Sequence, residues 1–183
     1  GMDGEVAKYI SREELYARTG IQKQSFNTIY QLMAVKKEHP EQLAAARRFL
    51  MTPEYFHYLL TGVGKNEYTL ATTTQLVNAA AKDWDRELMR TLGIPDGIFG
   101  ELSLPGTAVG ELLPEIAERA GFSCTVVLPG THDTASAVLA VPMADKNAMY
   151  ISSGTWSLIG VERDEPDCSE QSCRLNFTNE GGY

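Results

Sequence analysis

Asp133 is the residue best placed to do chemistry in this chain of 183 residues. It follows the short β-branched run Thr125–Leu128 and a Pro-Gly turn, and it precedes the small, helix-forming stretch Ala135–Val141. A loop between a strand and a helix is where open α/β sheets bind ligands and place catalytic side chains. An Asp before a helix is also a preferred N-cap, worth about 1 kcal/mol. Position alone leaves both roles open, but the flanking polar residues His132 and Thr134 favour a site.

The segment Ser152–Thr155 is the second candidate, for binding a phosphate group. Its glycine, Gly154, lies between two predicted strands, Met149–Ser152 and Trp156–Val161, whose spacing predicts a hairpin. Backbone N–H groups around a glycine can converge on an anion, and flanking hydroxyls such as that of Thr155 add donors. An ordinary glycine turn explains the same pattern. The tryptophan beside it fits either a ligand-stacking role or the core.

Three other polar features are interpreted without a catalytic role. Gly62–Asn66 has the composition of a nucleotide-binding loop, but it lacks the GxxxxGK[ST] spacing and follows a helix end, so a loop between helices is predicted. Asp83 and Asp85 are expected in an exposed turn and helix cap. His132, taken alone, is more typical of a hydrogen-bonded structural residue than of a base.

The first hundred residues are predicted to be almost wholly helical. Apolar residues recur at helical spacing, Ser11 with Glu14 has the pattern of a capping box, and Gly20 is typical of a helix end. Pro53 fits the first position of a helix, where its missing N–H costs nothing. The predicted helices cover Asp3–Arg18, Asn27–Lys37, Pro40–Phe49, the stretch from Thr52 to Gly62, and Trp84–Leu92.

After Pro95 the pattern changes to an alternation of strands and helices. One more helix is predicted from Leu112 to Gly121, the run Thr125–Leu128 predicts a buried strand, and Arg174–Phe177 is a weak strand candidate. With the hairpin, this gives three or four strands, all in the last third of the chain. A sheet of two or three strands is marginally stable alone. We therefore expect the chain to be a piece of a longer protein.

Composition and charge argue against several classes of protein. Hydrophobic residues make up 43% and charged residues 22%, which is typical of a folded globular protein. The net charge of −8, without a basic stripe, argues against nucleic acid as a partner. No apolar run approaches the roughly 20 residues of a membrane span, and the first 30 residues lack a signal-peptide pattern. The chain has three cysteines, Cys124, Cys168 and Cys173, and this odd number without a CxxC pair favours a reducing cytoplasm. No histidine has the spacing to a cysteine that a zinc site requires.

Two segments carry a resemblance to a known family. Residues 130–138 (GTHDTASAV) and 150–158 (YISSGTWSL) are similar to the junction between the two domains of sugar kinases of the FGGY family. Within that family, the Thr-rich stretch and residues 132–137 resemble the rhamnulokinase branch. Supporting similarity runs along nearly the whole chain, at residues 26–32, 50–62, 67–78, 83–85 and 178–182.

The resemblance implies an α/β fold of the actin-like ATPase superfamily, in which two ribonuclease H-like domains enclose a cleft. Residues 1–143 would be the later, mostly helical part of the first, sugar-binding domain, and residues 144–183 the opening strands of the second, nucleotide-binding domain. The resemblance further implies a role for five residues: Asp133 as the catalytic base, His132, Asp133 and Thr134 as sugar-binding residues, and Gly154 and Thr155 as nucleotide-binding residues.

The reaction implied by the resemblance is transfer of the γ-phosphoryl group of ATP, with Mg²⁺, to the 1-hydroxyl of L-rhamnulose. The expected partners are the sugar, ATP and the remaining parts of the same polypeptide, and the sequence identifies no metal ligand in this chain. The chain alone is therefore expected to be inactive. Two alternatives stay open: another FGGY kinase, acting on xylulose, gluconate or glycerol, and a non-catalytic actin-like or helical interaction domain.

Overall fold

Helices dominate the first hundred residues of the computed structural model, which describes residues 1–145 and 147–181. At the start of α2, the Ser11 hydroxyl accepts a hydrogen bond from the Glu14 N–H (3.1 Å), as the capping pattern predicted. Gly20 and Gly62 end α2 and α5 in the left-handed conformation (φ +67° and +72°). These helices are α1 (Met2–Val6), α2 (Arg12–Thr19), α3 (Thr28–Glu38), α4 (Pro40–Ala45), α5 (Thr52–Thr61), α6 (Tyr68–Thr72) and α7 (Arg86–Leu92).

Three predicted helices differ from the structure at their ends or in the middle. The helical pattern predicted over Asp3–Arg18 is divided into two helices, α1 and α2, because Ser11 caps the start of the second. The helix predicted over Pro40–Phe49 ends at Ala45, and the Phe49 N–H donates instead to the Ile98 carbonyl (2.8 Å). The helix predicted over Trp84–Leu92 begins at Arg86, because Asp85 caps it.

Asp85 is confirmed as a helix cap, but it is buried and not exposed. Its carboxylate accepts a hydrogen bond from the Leu88 N–H (2.9 Å), and both of its oxygens accept from the Arg18 guanidinium (2.8 Å each). Burial acts to raise the pKa of Asp85, but hydrogen bonds from Arg18, Leu88 and Asn78 outweigh it and lower that pKa. The pair ties α2 to the start of α7.

The remaining elements mix short strands with helices. Within the described residues the strands form two-stranded sheets, β1 with β4 in parallel, and β2 with β3, β5 with β6 and β7 with β8 antiparallel. The elements are β1 (Asn66–Glu67), β2 (Val77–Asn78), β3 (Asp83–Trp84), β4 (Leu102–Ser103), β5 (Ala108–Glu111), α8 (Pro114–Ala120), β6 (Thr125–Val127), α9 (Asp133–Leu139), β7 (Met149–Ser153), β8 (Ser157–Val161) and α10 (Glu170–Leu175).

The predicted hairpin is confirmed, whereas one strand prediction is wrong and another is right about the strand but wrong about its burial. Strands β7 and β8 pair from Met149 opposite Val161 onward, and each end of both strands lies within one residue of the predicted end. Arg174–Phe177 is not a strand, because Ser169 caps α10 and carries the helix to Leu175. The run Thr125–Leu128 does form a strand, β6 over Thr125–Val127, but the strand is not buried, since only Leu128 after its end is buried. Strands also occur before residue 100, which the sequence did not predict.

One apolar core lies among the helices of the first hundred residues. It packs α3 and α7 around the segment that joins α6 to β2, and none of its members lies beyond Phe99. Side chains buried completely or nearly so include Ile29, Leu76, Leu88, Met89, Leu92 and Ile94. By contrast, α8 and α9 contain no buried residue. Among the described residues, no helix has the length and apolar character to cross a membrane.

Candidate active site

Asp133 is the first residue of α9, and its side chain is exposed. His132, not Asp133, occupies the N-cap position, and its carbonyl accepts the Ser136 N–H (3.0 Å). The Asp133 carboxylate instead accepts from the Thr134 N–H (2.7 Å) and contacts the Thr134 hydroxyl (3.4 Å). The N-cap interpretation of Asp133 is therefore wrong. The carboxylate stays accessible at the mouth of the loop, with His132 and Thr134 beside it.

The loop that carries Asp133 is held in place by hydrogen bonds to the buried carboxylate of Glu67. One oxygen of Glu67, Oε2, accepts hydrogen bonds from the Thr131 N–H (3.1 Å) and the Thr131 hydroxyl (2.7 Å). The same carboxylate accepts from the N–H (2.8 Å) and hydroxyl (2.6 Å) of Thr69, and from the Leu70 N–H (3.1 Å). Glu67 thus caps α6 and holds the loop at the same time. The sequence analysis did not single it out, because Glu is not among the residue types preferred at a helix N-cap.

A second buried carboxylate, Glu54, holds Glu67 in place. Glu54 accepts hydrogen bonds from the Glu67 N–H (2.8 Å), the Met51 N–H (2.7 Å) and the Asn66 side-chain amide (2.8 Å). Burial raises the pKa of Glu54, and these hydrogen bonds oppose the rise. Asn66 also accepts the Gly100 N–H (3.1 Å), which adds the segment before β4 to the network. Strand β1, helix α5 and the loop before α9 are therefore joined by one chain of buried polar contacts.

Glu180 approaches the candidate site from the C-terminal side. Its Oε2 lies 3.3 Å from Nδ1 of His132, and the two side chains are 25% and 13% exposed. Burial raises the pKa of Glu180; His132 opposes that rise and the charge of Asp133 adds to it. Nδ1 of His132 is buried, and among the described residues no group meets hydrogen-bond geometry with it. Glu180 was not chosen as a site residue from the sequence, although it lies within the quoted segment 178–182.

Gly154 and Thr155 lie in the exposed tip of the β7–β8 hairpin. The Gly154 N–H donates to the Trp156 carbonyl (2.8 Å), so in this conformation it closes the turn and does not point at a ligand. Trp156 is 64% exposed, so the interpretation of its side chain as core is wrong; its ring lies 6.5 Å from that of Phe26. Helix α9, which begins at Asp133, packs against β7. The two predicted site segments therefore lie on neighbouring elements.

Across residues 1–145 and 147–181, no three or more His, Cys, Asp or Glu side chains come together as a metal site would require. The segment Gly62–Asn66 is a loop after a helix, as predicted, but it leads into strand β1 and not directly into a second helix.

Comparison with known proteins decides the family. The N-terminal domain of the FGGY family of carbohydrate kinases matches residues 4–140. The chain belongs to the FGGY family. Two curated rhamnulokinases, from Halalkalibacterium halodurans and Oceanobacillus iheyensis, are each 53% identical to this FGGY chain over 182 residues, which is 100% of the chain and 39% and 38% of those proteins. The chain thus spans about two fifths of the length of the curated relatives that it matches.

Similarity to solved structures confirms the fold class predicted from the sequence. The crystal structure of gluconate kinase from Lactobacillus acidophilus superposes with a TM-score of 0.81 at 22% identity, covering 93% of this chain and 36% of that one. The FGGY chain therefore shares the fold of the matching part of that sugar kinase structure, with helices and short strands. The predicted domain boundary at residue 143 and the predicted site residues stay predictions.

Proposed function

We propose that the protein of which this FGGY chain is a part is a rhamnulokinase, which transfers the γ-phosphoryl group of Mg·ATP to the 1-hydroxyl of L-rhamnulose. The observation that carries the proposal is the exposed carboxylate of Asp133 at the start of α9, on a loop that Glu67 fastens through Thr131. The curated relatives that are 53% identical are named rhamnulokinases, which supports L-rhamnulose over other sugars.

Asp133 acts as the general base in this proposal. A sugar hydroxyl is too weak an acid to ionise at neutral pH, so the carboxylate accepts its proton as the new O–P bond forms. The bond between the γ-phosphorus and the bridging oxygen breaks in the same step, and ADP leaves with the electron pair. Because the transition state is loose, alignment and charge stabilisation supply most of the acceleration. The base contributes about 10²–10⁴-fold.

The other proposed site residues bind the two substrates. His132 and Thr134 flank the base and contact the sugar, and Gly154 and Thr155 contact the nucleotide phosphates from the hairpin tip. Mg²⁺ would be bound together with the phosphates of ATP. If Gly154 is to donate to a phosphate, the turn must open the hydrogen bond to the Trp156 carbonyl.

Phosphoryl transfer requires groups from both domains closing on the substrates. We propose that residues 1–143 supply the sugar side and residues 144–183 the start of the nucleotide side, with the remaining polypeptide completing the second domain. The cytoplasmic location inferred from the cysteine count belongs to the same proposal.

A substrate panel tests the proposed function. Full-length protein, Mg·ATP and one sugar at a time would be assayed for ADP release with L-rhamnulose, xylulose, gluconate and glycerol. The proposal expects the highest kcat/KM with L-rhamnulose. A higher kcat/KM with xylulose, gluconate or glycerol would contradict L-rhamnulose as the substrate but would still support a sugar kinase. No sugar-dependent ADP release at all would contradict the kinase proposal and favour a non-catalytic actin-like domain.

A further inference from the structure

We propose that Glu180 is a positioning residue that orients the imidazole of His132 beside the catalytic base. The effect on catalysis rests on the proposed function. The pairing of the Glu180 and His132 side chains does not depend on it. The observation behind it is the 3.3 Å approach of Glu180 Oε2 to a buried His132 Nδ1 that lacks another partner among the described residues.

An unsatisfied nitrogen at this place favours the pairing. A buried polar atom without a hydrogen bond costs free energy, and a small rotation of either side chain would align an Nδ1–H with the carboxylate. The backbone of His132 is already placed, because its N–H faces the Thr69 hydroxyl (3.4 Å) and its carbonyl accepts the Ser136 N–H (3.0 Å). The orientation of the imidazole ring remains to be determined by a side-chain contact, and the Glu180 carboxylate lies close enough to Nδ1 to make it.

The residues on both sides of Glu180 hold it against the first part of the chain. The Asn179 N–H and side-chain amide both donate to the Gly20 carbonyl (2.8 and 3.0 Å), and the side-chain oxygen accepts the Asp167 N–H (2.8 Å). On the other side, the Gly181 N–H donates to the Thr72 hydroxyl (3.2 Å). Because α6 carries both Thr72 and Thr69, it holds the segment 179–181 and the backbone of His132 together.

Gly181 allows this close approach. A Cβ at residue 181 would lie 2.7 Å from Thr72 Cγ2 and 2.7 Å from a ring carbon of Tyr68, closer than real side chains come. A larger residue would push the segment away from α6 and move Glu180 with it. The close approach of Gly181 to α6 therefore places the Glu180 carboxylate beside the His132 imidazole.

The chemical consequence concerns the histidine tautomer. In a neutral imidazole the hydrogen bond made by one nitrogen decides which nitrogen carries the proton. With Nδ1–H directed at Glu180, Nε2 is left as an acceptor for a sugar hydroxyl next to Asp133. Loss of Glu180 frees the ring to rotate and to change tautomer, which weakens sugar binding and leaves nucleotide binding unchanged.

The test combines a spectroscopic and a kinetic measurement on the full-length protein. The ¹⁵N shifts of the imidazole nitrogens, assigned with His132→Gln, report the tautomer in the wild type, Glu180→Gln, Glu180→Ala and the control Glu165→Gln. Glu165 is an exposed carboxylate outside the candidate site. We expect the Nδ1–H form in the wild type and the control, its partial retention in Glu180→Gln, whose amide oxygen still accepts, and its loss in Glu180→Ala.

Kinetics on the same variants connect the tautomer to the sugar. We expect Glu180→Ala to raise the KM for the sugar about tenfold, with the KM for ATP unchanged, because one oriented hydrogen bond is lost. In a His132→Ala background, the same change should add nothing, since coupled residues are not additive. An unchanged tautomer in Glu180→Ala would overturn the proposal even if the protein proves not to be a kinase. Two results would overturn the proposed effect on sugar binding. One is a changed tautomer in Glu180→Ala with an unaltered KM for the sugar, and the other is additive losses when Glu180→Ala and His132→Ala are combined.

Discussion

Glu67 shows at the scale of one residue how a buried carboxylate can serve a site that it does not touch. It caps α6 and receives two hydrogen bonds from Thr131, two residues before Asp133. The motif residues Asp133 and His132 could be found from the sequence, because they lie next to each other in a loop between a strand and a helix, where α/β folds place binding and catalytic side chains. Glu67 could not, because its importance depends on burial and on a contact with Thr131, 64 positions away.

Replacing Glu67 by Gln tests this support. Both Glu67 oxygens accept hydrogen bonds, so the amide nitrogen of Gln must face an N–H or O–H donor. We expect a loss of about 1–3 kcal/mol in stability, as for a buried donor left unsatisfied, together with a lower kcat from a displaced loop. Thermal unfolding and steady-state kinetics of the full-length protein measure both.

The matched control is Glu118→Gln, which removes an exposed carboxylate on α8. It should leave both the unfolding temperature and kcat within error of the wild type. Equal behaviour of the two variants would show that the Glu67 network does not support the loop.

Elements with strong local signals were predicted well, and those set by distant contacts were not. The β7–β8 hairpin was predicted within one residue, because alternating residues and a glycine define it locally. Helix α10 was missed at Arg174–Phe177, where the Ser169 cap and the left-handed Asn176 (φ +58°) set its ends. The strands β1 and β4 are two residues each and pair across 36 positions of the chain, from Asn66 to Leu102, a contact that no local pattern indicates.

The hairpin tip carries its own prediction. Thr155→Val removes a hydroxyl while keeping the shape of the side chain, so it should raise the KM for ATP and leave the KM for the sugar unchanged. Initial rates at varied ATP and varied sugar separate the two constants. Thr91→Val, an exposed threonine on α7, is the control for a change of the same kind elsewhere. An effect confined to the sugar would contradict the nucleotide role of Thr155.

At the scale of the whole molecule, the last forty residues expose apolar surface that a finished sheet would cover. Met149, Ile151, Ile159 and Val161 share one face of the hairpin by their register, and each is more than half exposed. Strands of two-stranded sheets are marginally stable alone. The exposed face fits the expectation that the chain is a piece of a longer protein, and the chain spans about two fifths of the length of the curated relatives that it matches.

The chain alone is therefore expected to release no ADP in the presence of L-rhamnulose and Mg·ATP. Circular dichroism would first establish that it is folded, and the full-length protein at the same concentration provides the positive control. Sugar-dependent turnover by the folded chain would show that residues 1–183 contain a complete catalytic site.

The measurement that bears most directly on the central claim is kcat of the full-length protein with Asp133 replaced by Asn. Asn keeps the size of the side chain and cannot accept the proton, so the account predicts a fall in kcat of about 10²–10⁴-fold with a smaller change in the KM for the sugar. Asp164→Asn, an exposed carboxylate after β8, should retain full activity. Near-normal turnover by Asp133→Asn would contradict the assignment of the base.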